Sequence, residues 1–159
     1  MLGLSGFRIG YIYAEEHIMD VLYGGAVNVL GAPCTLSSIG AIAAMEDRAY
    51  LTDVYNRLER RRNLAFEILG NIPGVEMKLP ESGILSWLNI SALGTDGEVA
   101  TRIREDAKIL INEGSPYGEQ GKGHIRIVSA CFASDEDAQN RLLRIRKVLL
   151  AMAAEKELI

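Results

Sequence analysis

The chain has 159 residues, 48% of them hydrophobic, and a formal net charge of -4, enough for one compact unit with a real core. The negative balance and the lack of a long basic block argue against nucleic acid or an anionic membrane as the main partner. Cys34 and Cys131 lie far apart, no apolar run reaches about twenty residues, and the N-terminus lacks the charged start of a signal peptide, which predicts a soluble cytoplasmic protein with two free thiols.

The opening stretch, Leu2 to Ala14, carries Gly3, Gly6 and Gly10, one charge at Arg8, and a run from Ile9 to Ala14 that reads as a short buried strand. Arg8 stands where loop becomes strand; it either offers its planar fork to a phosphate or carboxylate, or is a surface arginine flanking a strand. Glu15-Glu16 then starts a helix with Ile18, Met19, Val21 and Leu22 on its apolar face, weakened by Gly24-Gly25 and broken over Asn28 to Pro33. Thr35 or Ser37 caps a second helix to about Glu46, whose Ile39, Gly40, Ala41, Ala43 and Ala44 permit close packing on another helix, in this chain or in a second subunit.

From Tyr50 to Leu69 apolar residues recur at three- and four-residue steps, which predicts a long amphipathic helix ended by Gly70 and Pro73. Arg60-Arg61-Arg62, the only basic run, falls inside it and reads as a solvated face beside Glu59 and Glu67. Strands are expected over Val75–Leu79 and Ile84–Ile90, parted by the turn cluster Pro80 to Gly83, with Trp87 half-buried in the core. Thr95 or Asp96 caps a helix from Gly97 to Ala107, and Ile109–Ile111 reads as a third short strand.

Asn112 to Gly123 is a glycine-rich loop that fails as a phosphate loop, because Gly123 follows Gly121-Lys122 where Ser or Thr is needed and Pro116 stands where a glycine is needed. A flexible hairpin or crossover is its plain reading. His124 to Ala130 is β-rich; Arg126, between Ile125 and Ile127, points away from their face and could simply meet solvent. Ser134 starts a last helix through Ala154, with Leu142, Leu143, Ile145, Val148, Leu149 and Met152 as its apolar face. His17 and His124 have no cysteine or carboxylate pair at ligand spacing, so no metal site is expected.

Two motifs carry a family resemblance. Gly6-Phe7-Arg8-Ile9-Gly10 resembles the Gly-x-Arg-x-Gly segment that follows the cofactor lysine in fold-type I, pyridoxal-phosphate-dependent aminotransferases of class I/II, and its wording is similar to the branch containing aminocyclopropane-carboxylate synthases. Pro116-Tyr117-Gly118 with Gly123-His124-Ile125-Arg126-Ile127 resembles the family's later loop and x-Ile-Arg-Ile/Leu strand. The resemblance implies an α/β chain whose residues 1–47 end the large cofactor domain and whose residues 48–159 form an α+β small domain, a sheet of three to four strands packed with helices and entered by a long linking helix over 50–69. It implies pyridoxal 5'-phosphate as cofactor, amino acid and 2-oxo acid as substrates, and a homodimer. Arg8 would meet the cofactor phosphate and Arg126 the substrate α-carboxylate. No catalytic residue falls in this chain: the Schiff-base lysine is expected immediately ahead of Met1, and Lys78, Lys108, Lys122, Lys147 and Lys156 sit in other contexts. The chain is too short for a complete enzyme of this family, and without the lysine it is expected to be inactive alone. The rival expectation is a non-catalytic, aminotransferase-like binding or interaction domain from a split gene or a regulator.

Overall fold

A computed structural model of the chain describes residues 3–159, so Leu2 of the opening stretch lies outside the described residues. The backbone groups into two compact units, one ending at Asn56 and one spanning Arg57–Ile159, where composition alone predicts a single unit.

The first unit is helical and thinly covered. It begins with a single 3-10 turn, Ser5–Phe7, followed by extended chain. Ile9 to Ala14 does not form the expected buried strand: no described strand pairs with it, and Tyr11, Ile12 and Tyr13 are exposed. A strand without a neighbour leaves its amides and carbonyls to water, so the β-prone sequence stays extended without becoming a sheet. Helix α1 (Glu16–Val29) buries none of its residues, so the apolar face expected there is uncovered. Helix α2 (Thr35–Glu46) takes its N-cap from Cys34, in extended geometry, and not from Thr35 or Ser37. One of its small residues, Gly40, faces an aromatic side chain. A Cβ on Gly40 would stand 3.0 Å from the Phe7 ring, so the glycine makes room for that aromatic.

Helix α3 (Arg48–Leu69, 22 residues) starts two positions before the expected Tyr50. Asp47 Oδ1 accepts from the Tyr50 amide at 2.9 Å, which satisfies one of the unpaired donors of the first turn and sets the boundary. At 1.5 Å per residue the helix is about 33 Å long.

The second unit is a four-stranded antiparallel sheet with helices on one face. The strands β1 (Glu76–Met77), β2 (Leu85–Asn89), β3 (Asn112–Glu113) and β4 (His124–Val128) lie in the order β1-β2-β4-β3. The third strand is therefore Asn112–Glu113 and not Ile109–Ile111. Lys108 adopts a left-handed φ of 55°, turning the chain, and Ile109 and Ile111 then pack beside the core without joining the ladder. Thr95 caps helix α4 (Asp96–Arg102) in a reciprocal box with Glu98, and a π-helical turn, Ile103–Ala107, continues it. Ser134 caps helix α5 (Asp135–Glu155) by accepting from the Asp137 amide at 3.0 Å.

The core joins Ala65, Ile68 and Leu69 of α3, Val99 of α4, and Leu142, Ile145 and Leu149 of α5 to Leu88, Ile125 and Ile127 of the sheet. Leu143, expected on the buried face of α5, is 45% exposed, because the helix turns it away from the row formed by its neighbours Leu142 and Ile145. The arginine run is also not a solvated face. Arg61 is buried, and its guanidinium donates to Asp135 Oδ1 (2.9 Å) and to the carbonyls of Phe132 (2.8 Å) and Ala130 (3.2 Å). Arg60 reaches Asp135 Oδ2, and Arg62 the Glu81 carbonyl. The run ties α3 to the start of α5 and to the β1–β2 connection.

Candidate functional site

Alternation along β2 and β4 divides the sheet into two faces. Ser86, Leu88, Ile125 and Ile127 point to the helices and are buried; Trp87, His124 and Arg126 belong to the opposite face. Trp87 lies opposite Arg126 in the ladder, and Asn112 lies opposite Arg126 on the other side, so the three form one row across β2, β4 and β3. Trp87, 37% exposed, is thus not the core residue that its alternating strand predicts. Alternation identifies two faces, and which of them the helices cover is decided by the rest of the fold.

Arg126 does not simply meet solvent. Its Nη2 donates to Asn112 Oδ1 at 3.0 Å, and its guanidinium lies over the Tyr117 ring, 4.8 Å from the centroid. Tyr117 meets Trp87 edge to face at 5.8 Å, and Trp87 stacks on His124 at 5.5 Å. Among the described residues Arg126 Nε, shielded from solvent, finds no acceptor, and none accepts from Nη1. The end of the fork, Nη1 with the second hydrogen of Nη2, is thereby uncommitted. A planar cation held from the side and from beneath, with two free donors at its tip, is suited to two oxygens of a carboxylate.

The β3–β4 connection that delivers Tyr117 is braced, not flexible. Its two limbs touch backbone to backbone: a Cβ on Gly121 would fall 2.0 Å from the Gly114 carbonyl oxygen, and one on Gly114 2.1 Å from that of Gly121. The buried Asp96 carboxylate accepts from the Ser115 hydroxyl and, at 2.8 Å, from its amide; the hydroxyl first and the amide second hold its pKa below the ordinary aspartate value, and both fix the turn Ser115–Tyr117.

Arg8, in the first unit, closes the opening 3-10 turn in a left-handed conformation (φ 53°) that non-glycine residues rarely adopt. It is exposed, and Nη1 donates to the Ser5 carbonyl at 3.2 Å. A surface groove of about 500 Å³ between α3 and the start of α5 is lined by Arg60, Arg61 and Asp135, whose charges already pair with one another. Among the described residues no group of three or more His, Cys, Asp or Glu could hold a metal ion, and no helix is long and apolar enough to cross a membrane.

Residues 1–145 match the family described as aminotransferase class I and II. The chain is 29% identical over 153 residues to a probable aspartate/prephenate aminotransferase of Aquifex aeolicus, covering 92% of this chain and 38% of that protein. It is 25% identical over 150 residues to an aspartate aminotransferase of Pyrococcus horikoshii, with the same coverage of each. Its fold matches that of an aromatic aminotransferase from Pyrococcus horikoshii with a TM-score of 0.73 at 22% identity, over 98% of this chain and 41% of that one. Cystalysin from Treponema denticola, whose crystal structure contains pyridoxal 5'-phosphate, matches with a TM-score of 0.69 at 22% identity, over 87% and 36% of the two chains. The chain therefore spans about two-fifths of the length of the relatives it matches.

Proposed function

The chain belongs to the class I and II aminotransferases, and on that premise we propose that it supplies the C-terminal part of a pyridoxal-phosphate-dependent enzyme that moves an amino group between an amino acid and a 2-oxo acid. The observation that carries the substrate half of this reading is the uncommitted end of the Arg126 fork on the outer face of the sheet. Arg126 binds the substrate α-carboxylate through two parallel charge-assisted hydrogen bonds and so orients the α-carbon. Arg8 suits the cofactor phosphate: it is exposed, and among the described residues its guanidinium bonds only the Ser5 carbonyl. When bound, the cofactor supplies an electron sink for the α-carbon. That chemistry needs a lysine which, in the family's register, belongs ahead of Met1.

The same reading assigns residues 1–47 to the end of a large cofactor domain and 48–159 to the small domain, with 50–69 as the linking helix. It also takes the protein to be a cytoplasmic homodimer. Support for the dimer comes from the exposed apolar side chains of the first unit, Ile39 and Ile42 of α2 among them, and support for the compartment from two free, exposed cysteines.

Amine-transfer kinetics of the full-length protein carrying this chain test the assignment. Arg126→Lys keeps the charge but loses the fork, and should weaken amino-acid binding by about 1.5–3 kcal/mol while cofactor retention is unchanged. Arg8→Ala should lower cofactor retention instead. Unchanged apparent substrate affinity in Arg126→Lys would remove Arg126 from the site.

A further inference from the structure

We propose that Tyr117 is a positioning residue for Arg126: its ring holds the guanidinium in the orientation that presents Nη1 and Nη2 to a carboxylate, an inference that rests on reading Arg126 as the carboxylate-binding group. The placement of Tyr117 is not explained by burial, since the residue is 51% exposed and contributes nothing to the hydrophobic core. Its ring contacts are with Arg126 and with Trp87, the residue opposite Arg126 in the ladder. The ring lies beneath the guanidinium at 4.8 Å and is steadied from the side by the edge-to-face contact with Trp87. Trp87 is itself stacked on His124, whose Nδ1 is 2.9 Å from the Lys122 carbonyl oxygen.

The backbone beneath Tyr117 is fixed from two directions. Asp96 holds Ser115, two residues before it, and the Gly114–Gly121 contact closes the loop around it. Arg126 alone would be a poorly oriented cation, because an arginine side chain has several rotatable bonds and only one direct hydrogen bond restrains its tip here. The aromatic platform adds a second restraint from a direction that leaves the donor edge open. Both Arg126 and Trp87 meet Tyr117 through its ring, so the ring and not the phenol is the working part.

The chain itself serves for the test. Trp87 is its single tryptophan and faces Arg126 across the ladder, so fluorescence reports on the site directly. Nitrogen-15 NMR of the Arg126 guanidinium reads rotation about its Nε–Cζ bond, and titration with acetate reads carboxylate binding. In the parent chain we expect slow rotation and an acetate response at both Arg126 and Trp87. Tyr117→Phe should preserve both. Tyr117→Leu should free the rotation and weaken acetate binding by about 2–5-fold, the range expected for loss of one partly exposed cation–π contact. Equal rotation and equal acetate affinity in the parent and Tyr117→Leu would overturn the positioning role alone. No acetate response in the parent chain would overturn it by removing the reading of Arg126 on which it rests.

Discussion

Arg61 is the charged side chain whose loss the second unit should feel most. Truncation to alanine leaves two loop carbonyls and one oxygen of Asp135 without their donor, and the carbonyls belong to the turn that leads into α5. Arg61→Ala should cost about 1–3 kcal/mol, whereas Arg60→Ala, which removes a solvent-exposed partner of the same carboxylate, should cost about 0–1 kcal/mol. Urea unfolding of the two variants checks the order, and equal costs would refute it. The pH dependence follows from Asp135, whose pKa is lowered by hydrogen bonds from Arg61 first and Arg60 second. A carboxylate with a depressed folded-state pKa stabilises the fold above its unfolded pKa, and this contribution fades as pH falls through the folded value. The stability gap between parent and Arg61→Ala should therefore be full at neutral pH and shrink below about pH 4. The special position of Arg61 was legible: Val54, Arg61 and Ile68 recur at seven-residue steps and all three are buried. Reading the run by its charge, and not by the phase of the helix, hides it among its neighbours. That Arg126 points away from the face of Ile125 and Ile127 was legible as well, whereas Trp87 and Asn112 join it through strand register, which no local pattern records.

Among the elements, the β3–β4 connection does most to assemble the candidate site, and it depends on glycines at two facing positions. Adding a methyl group to Gly121 drives a Cβ into the Gly114 carbonyl, so Gly121→Ala should part the limbs and cost about 1–3 kcal/mol, the range for overpacking a closed contact. Gly97→Ala is the control: its Cβ meets nothing closer than 3.9 Å, and within α4 alanine is the better helix former, so that variant should be neutral or more stable. Amide hydrogen exchange across Asn112, Glu113 and their β4 partners would show the difference. Retained protection in Gly121→Ala would mean that the limbs have room to spare. The helices were the most legible elements, since α3 announces itself by its period and α4 and α5 by period and cap. Strand boundaries were less so. Ile109 and Ile111 are β-branched and apolar, yet what makes a strand is the partner backbone, and the ladder begins only at Asn112.

At the scale of the whole molecule, hydrophobic content is shared by both units but burial is not. Nearly all buried apolar side chains belong to the second unit; in the first, Ala41 and Val54 are the buried residues among those described. The sequence showed the apolar residues of α1 and α2 without showing how little of them is buried among the described residues, because periodicity marks a face and not its partner. Tyr13, Val21, Tyr23, Leu30, Leu36 and Ile39 are all exposed, so the first unit leaves large apolar side chains in water. Burial of such side chains gains roughly 25 cal/mol per Å² removed from water, so association of two chains through the first unit should be favoured as concentration rises. Sedimentation velocity at increasing concentration should show dimers or larger species. Replacing Ile39 and Ile42 together by Asp, on the exposed side of α2, should shift the distribution toward monomer without loosening the second unit, whose core contains neither residue. A parent chain that stays monomeric at high concentration, or a double variant that associates as the parent does, would exclude α2 as the contact.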